Sequence, residues 1–345
     1  MILSVPQKSI DSPPILFKIA PGMTEFVDIE AAATRLQDVI VETPLLASSD
    51  LDRVVGGQVL LKPECLQRTG SFKLRGAYNL MSQLTPDQAA CGVVAWSSGN
   101  HAQGVAAAGG LLGIKTIIVM PDDAPQAKIA NTRRLGGEVV LYDRYSGDRQ
   151  AIASGIAAEN GAVLVPSYED KKIIAGQGTV GLEIMAQSAA MGLTPEQVII
   201  CCGGGGLSAG SGIAIKAISP QTDVYLVEPV EFDDTLRSMQ SGRRMRNDPS
   251  ARSICDALQT ETPGEMTFAI NQELASGVLT VTDDEVAHAM RFVFQHLKLV
   301  IEPGGAVALA AVLAGKIETR DKVTAVVLSG GNVDVELFAA IQAGA

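Results

Sequence analysis

Short apolar runs alternate with stretches of helical spacing along most of this chain, and that alternation limits the fold more than any other feature. Residues 92–96 are of the buried-strand type, 102–112 form a small-residue helix, and 116–120 a strand that stops at Pro121. Residues 126–135 read as helix, 138–142 as extended, 149–159 as helix and 162–165 as extended again. A second series begins at Ile174, with helices over 178–190 and 207–218 and strands over 198–202 and 224–227. It continues with helices over 284–297 and 306–313 and a final strand over 323–328. Apolar strands joined through helices pair in parallel and need helices on both faces. The pattern predicts an α/β protein with two three-layer units and mostly parallel, twisted sheets.

Ahead of this series, 28–39 has helical spacing, and Thr43-Pro44-Leu45-Leu46 then breaks it. Residues 76–84 read as a helix closed by Thr85-Pro86. Residues 237–265, rich in Arg, Ser, Asp and Pro, read as a long irregular excursion of the kind that often serves as a lid or a subunit contact. Residues 1–23 carry Lys8, Asp11, Lys18 and several prolines, so they lack the uninterrupted apolar core of a signal peptide and read as a loose extension.

Four stretches carry chemistry. In Thr69-Gly70-Ser71-Phe72-Lys73-Leu74-Arg75-Gly76 a single lysine stands among small residues, while Phe72 and Leu74 limit solvation of an ammonium and favour the neutral amine. A neutral lysine amine can form an imine, although a lone lysine in a first helical turn is more often simply exposed. Gly203-Gly204-Gly205-Gly206 follows a strand and precedes a helix, so the backbone can approach an anion that meets free N–H groups and the positive end of the helix dipole. The run lacks a P-loop lysine and fits Gly-x-Gly-x-x-Gly poorly, which favours a small phosphate ester over a nucleotide. Ser97-Ser98-Gly99-Asn100-His101 also lies between a strand and a helix, where α/β sites collect. His101 reads either as a general base or as a helix-start residue with a local hydrogen bond. Ser329-Gly330-Gly331-Asn332 ends the last strand.

Bulk properties narrow the partners. Acidic residues outnumber basic ones 38 to 27, and a net charge of -11 disfavours nucleic acid and anionic membrane surfaces. No run of about eighteen apolar residues suggests a transmembrane helix. Five scattered cysteines without a Cys-x-x-Cys pair suit a reducing cytoplasm.

Taken in order and spacing, the four stretches closely resemble the pyridoxal-phosphate enzymes of the threonine dehydratase and serine racemase family, of fold type II. The resemblance runs from about Ile29 to about Leu337. It implies a large cofactor-binding domain made of 1–85 and 168–345 and a smaller inserted domain, 86–167, with the cofactor in the cleft between them. It implies that Lys73 holds pyridoxal 5'-phosphate beside Phe72, that Gly203, Gly204, Gly205 and Gly206 grip its phosphate, that Asn100 meets its ring hydroxyl and that Ser329 meets its pyridine nitrogen. A neutral serine there leaves the ring a weaker electron sink than a carboxylate would, which favours prompt loss of a β-substituent. The substrate would meet Ser97, Ser98, Asn100, His101 and Tyr168, and Ser98 matches the serine that acts on the face opposite the lysine in racemases.

The resemblance further implies a divalent cation site, for Mg2+ or Ca2+, with Glu228 and Asp234 as side-chain ligands and Phe232 through its carbonyl. Hard oxygen ligands suit such ions, and a solvated acidic loop is the alternative reading. Val165-Pro166-Ser167-Tyr168 departs from the usual His-Pro pair, and Arg149 offers a partner for a second substrate carboxylate. Cys201 and Cys202 read as buried strand residues. The expected activity is that of a catabolic ammonia-lyase, a homodimer, converting L-threonine or L-serine to a 2-oxo acid and ammonia. Hydroxyaspartate dehydratase, serine racemase and a pathway-specific dehydratase are the alternatives.

Overall fold

The computed structural model describes residues 22–97, 99–124, 126–143 and 146–344, apart from the side chain of Ala127. Ser98 and nearly all of the N-terminal extension lie outside the described residues. Ten strands are present among them: β1 (Leu46–Ala47), β2 (Gln58–Pro63), β3 (Val93–Trp96), β4 (Thr116–Pro121), β5 (Glu138–Tyr142), β6 (Val163–Leu164), β7 (Gln197–Cys201), β8 (Asp223–Pro229), β9 (Gly277–Val281) and β10 (Val323–Leu328). They form two sheets, one of six strands in the order β1-β2-β10-β7-β8-β9 and one of four in the order β5-β4-β3-β6. All pairings are parallel except that of the short edge strand β1 with β2.

The four-stranded sheet is built entirely from residues 93–164. One face packs Val93, Ala95, Ile118 and Met120 against Leu74, Ala77 and Ala102 of two helices, Lys73–Met81 and Asn100–Leu112. The other packs Val94, Ile117 and Val119 against Ala153 and Ala157 of the Arg149–Asn160 helix. Strands covered on both faces have no solvent side, which is why they read as continuous apolar runs instead of alternating. In the six-stranded sheet β10 is central, with Thr324 to Leu328 wholly buried between β2 and β7. Each such Val or Leu contributes about 1.5–3 kcal/mol through burial.

The Lys171–Ala190 and Gly206–Ile218 helices touch backbone to backbone. A Cβ on Gly210 would overlap the carbonyl oxygen of Ile174, so that crossing requires glycine.

The structure adjusts several sequence expectations. The Lys73–Met81 helix starts three residues before Gly76, which sits inside it against Gln177. Thr85-Pro86 opens a further helix, Pro86–Cys91, because Thr85 and Gln88 form a reciprocal capping box and proline suits the first helical position. The helix expected over 178–190 begins at Lys171, where Asp170 caps the N–H groups of Lys172 and Ile173. The segment 237–265 holds the end of the Asp234–Ser241 helix and a short turn at Asp256–Leu258. The helices Ser49–Val55, Glu265–Leu274 and Val335–Ala343 and the edge strand β9 were not anticipated. No helix among the described residues is long and apolar enough to cross a membrane, and all five cysteines are free.

Candidate active site

The C-terminal ends of β10, β7 and β3 converge, as open parallel sheets require of their ligand sites. The turn after β10 is stitched to the segment before Lys73. Ser71 bridges Gly330, the Phe72 N–H donates to the Ser329 carbonyl at 3.3 Å, and the Gly331 N–H donates to the Gly70 carbonyl at 2.8 Å. Lys73 is thereby fixed at a helix start beside Ser329. Its amine donates to the Ser167 carbonyl at 2.9 Å and stands 5.1 Å from the Phe72 ring centroid. Burial disfavours the ammonium and lowers the pKa to about 8, against smaller opposing effects of Cys201 and Glu302.

The helix carrying Lys73 is anchored from below by buried charges. The Arg75 guanidinium donates to both oxygens of Glu64, at 2.8 Å each, and to both of Glu183, at 2.5 and 2.9 Å. Lys62 closes the group with a 2.6 Å contact to Glu183. Bidentate pairing fixes the guanidinium plane, so the helix cannot rotate without breaking charge-assisted bonds.

Residue 168 joins the lysine to the glycine turn. Tyr168 follows Ser167, and a Cβ on Gly204 would overlap the Tyr168 ring. Gly205 has φ +87°, a conformation that glycine adopts without strain. The carbonyls of the turn are taken, that of Gly204 by Thr267 Oγ1 at 2.6 Å and that of Gly205 by Ser208 Oγ at 3.0 Å and Asn271 Nδ2 at 3.3 Å. No described residue accepts a hydrogen bond from the N–H of Gly203, Gly204, Gly205 or Gly206. A buried row of partnerless donors at a helix N-terminus is a cradle for a phosphate.

Asn100 starts its helix and reaches across the cleft. Its Nδ2 donates to Glu302 Oε1 at 2.5 Å, and its Oδ1 accepts from Asn332 Nδ2 at 2.7 Å. Ser97 lies at the strand end, half-buried, where its Oγ accepts from the Gly99 N–H at 3.2 Å. His101 is buried, with Nε2 on the Val165 carbonyl at 2.8 Å and Nδ1 without a partner. Burial, with the charge of Lys73 as a smaller cause, lowers its pKa to about 3, so the ring is neutral and steadies the Val165 loop. Ser329 is buried beside the Cys201 thiol, whose pKa burial raises to about 11. Cys202 is buried too, its pKa raised beyond the range of a thiolate nucleophile. The Tyr168 phenol is pushed upward by burial first, with the Arg149 charge pulling the other way. Arg149 is exposed at the rim and makes no hydrogen bond or ion pair among the described residues.

Glu228 and Asp234 are fully buried, and Phe232 lies in the short turn between them. Glu228 accepts from the N–H groups of Thr235 and Leu236, and Asp234 Oδ1 accepts from Asn247 at 2.6 Å. Asp234 Oδ2 has no partner. Burial, then the charge of Asp234, raises Glu228 to about 8, and burial raises Asp234 to about 6. No cluster of three or more His, Cys, Asp or Glu side chains suited to a metal exists among the described residues. The orphaned oxygen and the paired acidic charge nevertheless fit a hard cation completed by a carbonyl and water.

The lysine, the donor cradle and a neutral serine at the ends of adjoining strands define a protein that holds an aldehyde-bearing phosphate ester. Residues 36–330 match the family model for pyridoxal-phosphate dependent enzymes, and the chain belongs to that family. It is 42% identical to an L-threo-3-hydroxyaspartate ammonia-lyase of a Pseudomonas species over 93% of this chain and 99% of that protein. It is 38% identical to a serine racemase of Schizosaccharomyces pombe, over 90% of this chain and 95% of that one. The crystal structure of a threonine deaminase from T.th. superposes with a TM-score of 0.85 at 44% identity, covering 90% of this chain and 99% of that one.

Glu302 and the Arg75 group escaped the sequence reading. A single acid in the apolar run Leu299 to Leu313, and a lysine inside the apolar strand β2, were the available signals.

Proposed function

We propose that the protein is a β-eliminating ammonia-lyase that converts L-threonine and L-serine to 2-oxo acids and ammonia. The observation that carries this reading is the Lys73 amine, poised near neutrality at the cleft beside a cradle of unpaired N–H donors. With a pKa of about 8, about a tenth of the amine is neutral at pH 7. Pyridoxal phosphate, when bound, supplies an electron sink for the pair left at the substrate Cα. Gly203 to Gly206 would hold its phosphate through backbone N–H groups, Asn100 its ring oxygen and Ser329 its ring nitrogen. Lys73 would take the Cα proton as general base. A neutral hydroxyl at Ser329 would hold the ring without protonating it, which favours prompt loss of the β-hydroxyl, protonated to leave as water, over a long-lived carbanion. Hydrolysis of the resulting enamine gives the 2-oxo acid and ammonia. The Ser97 hydroxyl stands at the strand end just ahead of the Asn100–Leu112 helix, whose first N–H groups would orient the substrate carboxylate, and Tyr168 would cover the side-chain end of the cleft.

A second reading is favoured by Arg149. An unpaired guanidinium close to Tyr168 would pair with a second carboxylate, as in 3-hydroxyaspartate. A panel of L-threonine, L-serine and both diastereomers of hydroxyaspartate, read as 2-oxo acid release and D-serine formation, tests the proposal. Turnover of threonine and serine is the expected result. Turnover of hydroxyaspartate alone, or racemisation without elimination, overturns it.

Glu228, Asp234 and the Phe232 carbonyl would hold Mg2+ or Ca2+, with a structural role, since the ion would tie β8 to the Asp234–Ser241 helix. The free cysteines support a reducing cytoplasm, and a homodimer remains the arrangement proposed from the resemblance.

A further inference from the structure

Glu302 is 3% exposed and precedes Pro303 at the start of the Pro303–Leu313 helix. It ends a chain of hydrogen bonds whose directions are forced. The Thr69 carbonyl can only accept, so the Asn332 atom 2.8 Å away is its Nδ2. That nitrogen's other hydrogen goes to Asn100 at 2.7 Å, which must therefore present Oδ1. Asn100 then turns Nδ2 to Glu302 at 2.5 Å, which an ionised carboxylate accepts. One amide N–H of Asn100 is left over. The backbone locks both ends, because the Glu302 N–H donates to the Gly330 carbonyl at 3.1 Å and a Cβ on Gly330 would overlap Glu302 Oε1.

We propose that Glu302 is a positioning residue that, through its ionised carboxylate, holds the Asn100 amide with its spare N–H toward the cofactor's ring oxygen, and that protonating Glu302 releases that amide. A protonated carboxyl donates as well as accepts. Satisfying its O–H would require Asn100 to turn its oxygen to Glu302 and abandon Asn332.

The groups facing Glu302 come from six elements. They are Lys73 on its helix, Cys65 in the Glu64–Leu66 turn, Cys201 at the end of β7, Lys128 on the Gln126–Arg134 helix, Asp256 in its turn and Asp334 before the Val335–Ala343 helix. Lys128 is itself bound to Asp256 at 2.6 Å. Burial first, then the charge of Asp256, raises the Glu302 pKa to about 7, against the Asn100 bond and Lys128. The release would therefore fall near neutral pH.

The proposal rests on pyridoxal phosphate as cofactor with Asn100 at its ring oxygen, and not on which amino acid is turned over. Its test is the visible absorption of the cofactor-loaded protein without substrate, followed from pH 6 to 9. In the wild type the ratio of the bands is expected to titrate with a midpoint within a unit of 7. In Glu302→Gln, which keeps an acceptor but no ionisable group, that titration disappears. In Asn332→Ala, which leaves Glu302 in place, the flip no longer sacrifices a bond, so the midpoint rises by about 0.5–1 unit. A wild-type ratio that is flat with pH, a midpoint unchanged in Glu302→Gln, or a midpoint unmoved or lowered in Asn332→Ala overturns the proposal. Should Glu302→Gln not fold, Asn332→Ala decides by itself. A wild-type protein with no visible band overturns the cofactor assignment, and the proposal falls with it.

Discussion

Replacing Lys73 by methionine should make the cofactor-free protein more stable at neutral pH while abolishing its chemistry. The amine is lowered from 10.5 to about 8 because the cleft disfavours its charge. At about 1.4 kcal/mol per unit, the charged form costs at most about 3.5 kcal/mol, and roughly 2 kcal/mol after allowance for the half-open cleft. Methionine keeps the apolar stem and loses the bond to Ser167, which offsets about 1 kcal/mol. The sign with pH follows from proton counting. Between pH 8 and 10.5 the unfolded lysine binds more protons than the folded one, so wild-type stability rises with pH through that window. The advantage of the variant is therefore full below pH 8 and shrinks by about 1.3 kcal/mol by pH 10, the rest being lost above the unfolded value of 10.5. For 345 residues with an unfolding entropy of about 2.1 cal/mol/K each, that is about 2 °C in the Tm difference. Thermal unfolding of both cofactor-free proteins at pH 7 and pH 10 reads it directly, since other lysines cancel in the difference. A Tm difference that stays constant or widens with pH would refute the account of why this amine is reactive.

Three further outcomes are expected. Gly204→Ala sets a methyl against the Tyr168 ring and distorts the donor cradle, so cofactor affinity measured by fluorescence titration should fall at least about 100-fold, a loss of ~2.7 kcal/mol. Arg149→Met should raise KM for hydroxyaspartate about 10–100-fold if that substrate is used, the worth of a charge-assisted pair, and leave threonine within about 2-fold. Removing divalent ions with a chelator should lower Tm by a few degrees and added Mg2+ or Ca2+ should restore it, whereas Asp234→Asn should make Tm insensitive to both.

Much of the scaffold was legible because strands buried on both faces leave continuous apolar runs. Residues 323–328 were read to the residue for that reason, and 138–142 matched as well although β5 is a half-exposed edge strand. Where tertiary packing overrides local preference, the reading slipped. Gly76 looked like a boundary but is a close contact with Gln177 inside a helix, and Pro86 looked like a stop but is a first helical residue. Strand β9 was missed because it is a half-buried edge strand without a continuous apolar run. The glycine turn and Lys73 carried their own chemistry in local sequence. Glu302, Arg75 and Glu64 did not, since each draws its meaning from residues far away in the chain, such as Glu302 from Asn100, 202 positions distant.

The central strand of the larger sheet is also the one furthest along the chain. During synthesis the four-stranded sheet, complete by residue 164, can close early, whereas β2 and β7 must wait as two raw parallel edges until β10 emerges to fill the gap. Unpaired edges invite association with other chains. Ser329 follows directly on that strand, so the nascent polypeptide gains the hydroxyl proposed for the ring nitrogen at the moment it stops being sticky.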